Sequence, residues 1–301
     1  MIDDARFLDR VRSSLDEAGL RGSLVVRDLD TGRTLSLDAD AVYPAASLAK
    51  IPVALAVAEA IEGGTIDPGL VVEVSPGGES DPAPTGITRF RHPARIAVED
   101  LLSLAVTISD NSAADRLLDL VPLEGVRASL RAAGIDGFAL RHRFQELADT
   151  PLDGTDPAGN LLAHTLAVEG GAPDGGHAVA QLDLARANTV TATAAADLLQ
   201  ELWRPRHVSR RAAARVRALM AANAIRHRLA PEFDSDSTRW SSKTGTLLTY
   251  RHEAGVVDHE DGSSVAVVAL SASRVPARIQ PGADIALAAA ARELYERVRV
   301  G

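Results

Sequence analysis

The sequence predicts an α+β fold with three layers, α/β/α. An antiparallel sheet formed by both chain ends carries flanking helices, and an all-helical domain is inserted between the two ends. Alternation of apolar and polar residues, which is typical of strands, occurs over 22–40 and again within 238–272. Helical periodicity dominates the region between them. Either β-region alone would leave exposed strand edges, so we expect the two to pair in one sheet.

The first half of the chain alternates between these patterns in a regular order. Apolar residues fall on one side of the first helix, an Asp-Thr-Gly turn joins two strands, and Gly-Gly ends the second helix. Residues 74–92 are rich in Gly and Pro and predict a loop. The predicted elements are a helix over 3–19, a strand pair over 22–40, a helix over 47–64, two helices within 97–121 and one over 124–134.

The second half opens with a long surface excursion over about 149–186, which is acidic, rich in Gly and Pro, and includes one short apolar segment. The elements predicted after it are helices over 191–203 and 210–223, strands over 238–245, 252–259 and 263–272, and a closing helix over 283–300. We therefore expect a sheet domain over 1–45 and 225–301. The helical domain spans 46–224 and contains an extended loop at about 143–188.

Composition excludes several classes of function. The net charge of −9 over 301 residues argues against nucleic acid and anionic membrane as partners. Cysteine is absent, which excludes disulfides and thiol catalysis, and the histidines show no metal-ligand spacing, so we expect no metal and no other cofactor. No apolar run could span a membrane, and no leader is evident. A cytoplasmic monomer is expected, although a trimmed leader would make the protein secreted.

Lysine is rare in this chain, and its two positions are informative. Of 32 basic residues, only Lys50 and Lys243 are lysines. Ser47 precedes Lys50 by three residues, so both side chains fall on one face of a helix, about 5–6 Å apart at Cβ. A serine nucleophile needs a base, and a buried lysine can act as one whereas an arginine keeps its proton. The alternative is a helix N-cap serine beside a surface lysine.

Two further motifs accompany this pair. Ser109-Asp110-Asn111 lies between two helical stretches, where it could simply cap a helix or could supply a proton shuttle and a substrate-orienting amide. Lys243-Thr244-Gly245 ends a predicted strand, where it could be an ordinary strand and turn. In a site, the same residues would supply a compact cation, a hydroxyl donor and a backbone that a ligand can approach closely.

Together and in this order, the three motifs resemble those of the class A β-lactamases and the wider penicillin-recognising serine hydrolases. The resemblance covers nearly the whole chain and implies acylation of a serine. It implies Ser47 as nucleophile, Lys50 as its base or relay, and Ser109 as the donor to the leaving nitrogen. The substrate-binding residues that it implies are Asn111, Lys243, Thr244, Gly245 and Thr246, with the N–H groups of Ser47 and Thr246 forming the oxyanion hole.

The sequence departs from this family in two places. The family's water-activating Glu should lie in "RHRFQELADT", where the usual spacing reaches Gln145 and a shift of one residue reaches Glu146. Since glutamine cannot take a proton from water, we assign Glu146 as the catalytic base, with Asp149 and Asp153 as the next carboxylates to consider. The usual carboxylate-binding arginine is also missing from the strand after Lys243-Thr244-Gly245. Glu253 occupies that place, and Arg226 is the predicted substitute.

We predict a serine hydrolase of the class A β-lactamase type with a small-molecule substrate; of the three functions that follow, the first is the prediction and the other two are its alternatives. The first is hydrolysis of β-lactams through an acyl-enzyme at Ser47. The second is hydrolysis or transfer of an acyl group from a peptide, ester or amide. The third is a β-lactam binder in which deacylation is stalled.

Overall fold

The computed structural model describes residues 4–75, 85–147, 157–172, 176–277 and 279–300. The strands, numbered along the chain, are β1 (Leu20–Asp28), β2 (Thr34–Leu37), β3 (Tyr43–Pro44), β4 (Val71–Val74), β5 (Ala94–Ala97), β6 (Thr189–Val190), β7 (Thr238–Leu247), β8 (Tyr250–His259) and β9 (Ser264–Ser273). An antiparallel five-stranded sheet has the order β2-β1-β9-β8-β7. Because β1 pairs with β9 along its whole length, the prediction that both chain ends share one sheet is confirmed.

Helices cover both faces of this sheet. They are α1 (Asp4–Glu17), α2 (Lys50–Glu62), α3 (Val98–Thr107), α4 (Asn111–Leu120), α5 (Leu123–Ala132), α6 (Pro157–Glu169), α7 (Ala192–Trp203), α8 (Arg210–Ala221), α9 (Ala230–Phe233) and α10 (Pro281–Val300). Successive side chains of β1 enter different cores: Leu24 and Val26 pack with α1 and α10, whereas Val25 joins the core of the helical region. This alternation produces the three predicted layers, α/β/α.

Of two regions predicted as irregular, one is bounded by paired strands and the other contains a helix. The loop predicted over 74–92 begins at β4 and ends before β5, and these two strands pair with each other. The excursion predicted over 149–186 contains the 13-residue helix α6 and a 3₁₀ turn over Ala180–Leu182. Gly and Pro around the apolar segment concealed α6, although Leu and Ala favour a helix there. No helix in the described part of the chain is long and apolar enough to cross a membrane.

Candidate active site

The predicted nucleophile lies in a tightly held turn at the start of α2. Ala46–Ala49 form a 3₁₀ turn, and Ala46 has a φ of +46°, a left-handed conformation that is strained for a residue with a Cβ. Two contacts hold the preceding backbone. The Ala45 N–H donates to the Asn188 carbonyl at 2.7 Å, and the His252 Nε2 contacts the Pro44 carbonyl oxygen at 2.9 Å. Ser47 is half-buried here, while residues on both sides of it are buried.

Lys50 joins the first two motifs. Its side chain is buried, and its Nζ lies 3.3 Å from the Ser47 Oγ and 3.2 Å from the Ser109 Oγ. The same Nζ donates to the Ser109 carbonyl at 2.5 Å and to the Asn111 Oδ1 at 2.6 Å. One amine therefore lies within hydrogen-bond reach of both serine hydroxyls. A proton can pass between Ser47 and Ser109 through this amine without a large movement of any group.

The Ser-Asp-Asn turn is shaped by its central residue. Asp110 is fully buried and caps α4, accepting from the Ala113 N–H at 3.0 Å and from the Ile87 N–H at 2.7 Å. A Cβ on Gly86 would lie 2.0 Å from the Asp110 Oδ2, so only glycine fits beside this carboxylate. Ser109 has a φ of +63°. Asp110 is thus the structural member of the motif, and it presents Ser109 and Asn111 to Lys50.

Strand β7 carries the third motif to the same place. Gly245 passes close to the nucleophile turn, because a Cβ there would lie 3.3 Å from the Ala45 carbonyl oxygen. Lys243 is fully buried and donates to the Thr244 carbonyl at 2.9 Å. Burial lowers the pKa of Lys243 well below its usual value, and the charge of Lys50 lowers it further. Both lysines of the chain therefore belong to one buried site that favours an added negative charge.

Arg228, which the sequence analysis missed, lies beside the third motif at the place expected of Arg226. Its guanidinium is 1% exposed, pairs with Asp284 at 2.6 Å, and donates to the Thr246 Oγ1 at 3.2 Å. Arg226 instead lies in an ion pair with Asp234 at 2.5 Å. The structure thus places Arg228, two residues further along, and not Arg226 next to Thr246, and substrate binding by Arg226 stays a prediction that this geometry does not favour. No local pattern distinguishes the two, because the choice depends on a carboxylate of α10.

Glu253 lies on β8 opposite Thr244, as the sequence suggested, and its carboxylate is used by the fold. It is fully buried and accepts from the Trp240 Nε1 at 2.8 Å, the Ser242 Oγ at 2.7 Å and the Leu229 N–H at 2.8 Å. These bonds tie β7 and the backbone that follows Arg228 to β8. Glu253 is therefore a structural carboxylate and not a substrate-binding group.

The loop after α5 presents a phenyl ring to Lys50. Phe144 is fully buried, and its ring centroid lies 5.1 Å from the Lys50 Nζ. Buried Asp115 of α4 fixes this arrangement by accepting from the Phe144 N–H at 2.8 Å and the Gln145 N–H at 2.9 Å. Burial raises the pKa of Asp115. The side chain that this loop places beside Lys50 among its described residues is therefore that of Phe144, the residue before the two candidates.

Glu146 and Gln145 are both exposed. The Glu146 Oε1 accepts from the Arg143 N–H at 3.2 Å, which closes the short 3₁₀ turn over Gln145–Leu147. The structure does not bring Glu146 into the buried cluster around Lys50, so its assignment as water-activating base lacks geometric support. Asp149 and Asp153 lie outside the described residues.

A second anchor ties this loop to the nucleophile turn. The Asn188 Oδ1 accepts from the N–H groups of Arg141 and His142, and the Asn188 N–H donates to the His142 Nε2 at 3.1 Å. The carbonyl of the same Asn188 accepts from Ala45. One asparagine therefore sets the distance between the loop that carries Phe144 and the turn that carries Ser47.

The fold is that of the class A β-lactamases, and it brings two serines and two lysines together in one cluster. A family model for the β-lactamase enzyme family matches residues 6–298. The chain belongs to this family.

One relative is similar to this chain in sequence over nearly its whole length. The chain is 48% identical over 310 residues to a β-lactamase regulatory protein, BlaB, from Streptomyces cacaoi, with 99% of each chain covered.

Solved structures share the fold at low identity. A β-lactamase from Chitinophaga pinensis has a TM-score of 0.77 at 18% identity, covering 98% of this chain and 99% of that one. PBP-A has a TM-score of 0.74 at 16% identity, covering 98% and 96%. An ancestral class A β-lactamase has a TM-score of 0.74 at 22% identity, covering 96% and 98%.

Proposed function

We propose that this protein is a β-lactam receptor that is acylated at Ser47 and releases the acyl group slowly. The Ser47 oxygen attacks the lactam carbonyl, the ring C–N bond breaks, and the Ser47 proton reaches the leaving nitrogen through Lys50 and Ser109. The product is a penicilloyl or cephalosporoyl ester of Ser47. In this proposal the acylated form of the protein is the functional product, and its role is regulatory.

The acylation half of the proposal rests on Lys50. Its amine lies 3.3 Å from the Ser47 Oγ and 3.2 Å from the Ser109 Oγ, so it can accept a proton from one hydroxyl while the other donates to nitrogen. In this proposal Lys243 and Thr244 bind the carboxylate that penicillins and cephalosporins carry, and Arg228 holds the neighbouring Thr246 in place. The N–H groups of Ser47 and Thr246 would stabilise the oxyanion, each worth about 2.7–4 kcal/mol.

The slow release of the acyl group is inferred from the position of the Phe144 ring beside Lys50, and this observation carries the proposal. Deacylation needs a base that takes a proton from water close to the ester. Among the described residues of the loop, Phe144 places its ring 5.1 Å from the Lys50 Nζ, while Gln145 and Glu146 are exposed. A phenyl ring can neither hold nor activate a water molecule at this position. The Streptomyces cacaoi relative is named as a regulatory protein, which supports a regulatory role for this chain as well.

β-Lactam hydrolysis is the competing function, and the likeness to β-lactamase folds favours it. It requires a carboxylate near Ser47. Glu146 would have to leave its bond to the Arg143 N–H and turn inward, or Asp149 or Asp153 would have to reach the site.

The kinetics of a chromogenic cephalosporin separate these functions. We expect release of one equivalent of product per protein, followed by a much slower phase, because each Ser47 reacts once. Steady turnover without a burst would instead identify an efficient β-lactamase. If the cephalosporin does not react while an activated ester does, the protein is an acyl hydrolase or transferase of another substrate class. Ser47→Ala is the control that should abolish the burst.

A further inference from the structure

Positive charge is concentrated in one segment of this acidic protein. Residues 202–231 contain eight arginines and no Asp or Glu, although the whole chain has a net charge of −9. The segment covers the end of α7, the connection to α8, the whole of α8 and the start of α9. Such a segment repels itself unless carboxylates from other parts of the chain, or anions from solution, neutralise it.

Carboxylates from elsewhere neutralise five of these arginines. The ion pairs are Arg204–Asp30, Arg211–Glu62, Arg215–Glu62, Arg215–Glu99, Arg226–Asp234 and Arg228–Asp284. The other three are Arg206, Arg210 and Arg217, and within the described part of the chain no carboxylate lies within 4.0 Å of their guanidinium nitrogens. The nearby carboxylate of Glu201 accepts from the backbone N–H groups of Arg206 and His207.

These three arginines line one surface pocket of about 460 Å³, together with Trp203, Arg204 and Pro205. The Arg217 guanidinium lies 5.9 Å from the Trp203 ring centroid and donates to the Leu202 carbonyl, which holds it in place. Arg210 begins the 12-residue helix α8, whose N-terminus adds partial positive charge. Three arginines that have no carboxylate partner among the described residues therefore line one concave surface together with Trp203 and Pro205.

We propose that this pocket binds a small phosphate-bearing ligand. A guanidinium fork matches two oxygens of a phosphate, and one phosphate group offers enough oxygens for more than one fork. A single carboxylate has only two oxygens and cannot satisfy three arginines together. The wall formed by Trp203 and Pro205 can pack against an organic part if the ligand has one. The pocket is separate from the Ser47 cluster and shares no lining residue with it.

Isothermal titration in a phosphate-free buffer of low ionic strength tests this proposal with pyrophosphate, ADP and malonate as probes. We expect saturable binding of one pyrophosphate per protein and at least tenfold weaker binding of malonate. Arg206→Gln/Arg210→Gln should weaken pyrophosphate binding at least tenfold. The matched control is Arg10→Gln/Arg131→Gln, which removes the same charge from two exposed arginines paired with Glu293 and Glu124, and it should bind like the wild type.

The outcomes are distinguishable. Tighter binding of ADP than of pyrophosphate identifies an organic phosphate as the ligand class, and equal binding identifies the inorganic group as sufficient. A titration that does not saturate, or equal weakening in both double variants, would overturn the proposal, since either result means general charge attraction. The unfolding temperature of each variant without ligand checks that the fold is intact. Ser47→Ala should bind pyrophosphate normally, so this test does not depend on the acylation chemistry.

Discussion

Replacing Phe144 by glutamate should convert a long-lived acyl-protein into one that turns over. The new carboxylate would stand where the ring now lies, about 5 Å from the Lys50 Nζ. At that distance and an effective dielectric constant of about 20, the attraction to an ammonium is about 3 kcal/mol. This attraction offsets part of the cost of burying the carboxylate, and the prediction requires that Glu at this position ionises and accepts a proton from water.

We expect deacylation to accelerate by about 100-fold, the lower end of what a positioned general base contributes. This corresponds to about 2.7 kcal/mol of activation free energy. The protein is acylated with benzylpenicillin, excess drug is removed, and loss of the adduct is followed by intact mass. Phe144→Gln is the matched control, because it opens the same space without a base. Gln145→Glu is the second control and should change little, since residue 145 is exposed.

If Phe144→Gln deacylates as fast as Phe144→Glu, entry of water and not base catalysis limits release, and the reasoning is wrong. If Gln145→Glu gains turnover while Phe144→Glu does not, the loop in solution follows the family spacing and Phe144 does not occupy the base position.

Three further predictions concern Lys50, Arg228 and His252. Lys50→Arg should slow acylation as much as Lys50→Ala, because a guanidinium keeps its proton; an acylation rate within tenfold of wild type would show that Lys50 acts by charge alone. Arg228→Met should lower the free energy of unfolding in urea by about 3–5 kcal/mol by leaving Asp284 without its partner, and Arg228→Met/Asp284→Leu should recover most of this loss. Burial lowers the pKa of His252 to about 4, below an unfolded value of about 6.5, so the folded state binds fewer protons. The contribution of neutral, buried His252 to the free energy of unfolding should therefore be fully present above pH 6.5. The free energy of unfolding should fall by up to about 3 kcal/mol as the pH approaches 4. His252→Gln should flatten that part of the urea-denaturation profile, and an unchanged slope would contradict the assignment.

The residues that local chain geometry fixes were predicted correctly in position. Ser47 and Lys50 are one helical turn apart, so their spacing alone brings the hydroxyl and the amine together. Pairing of the two β-regions follows from their patterns and from the cost of exposed edges. The first feature depends only on residues close together in sequence. The second depends on the requirement that the edges of the strands be paired.

The structure departs from the sequence-based assignments where a distant residue decides which side chain lies at the site. Asp115 of α4 accepts from the N–H groups of Phe144 and Gln145 and so selects which side chain faces Lys50. Asp284 of α10 selects Arg228 in preference to Arg226. In each case the chain offers two candidates one or two residues apart, and tertiary contacts choose between them. A single sequence does not contain the pairing that makes this choice.

The lifetime of the acyl-protein tests the central claim most directly. Wild-type protein is mixed with a small excess of benzylpenicillin, and its intact mass is recorded over time alongside Ser47→Ala. We predict that the wild type gains the mass of one whole penicillin, that peptide mapping locates it on Ser47, and that the adduct persists after the free drug is removed. Ser47→Ala should gain nothing. Rapid return of the wild type to its original mass, with more than one equivalent of opened penicillin in solution, or an equal adduct in Ser47→Ala, would contradict the account.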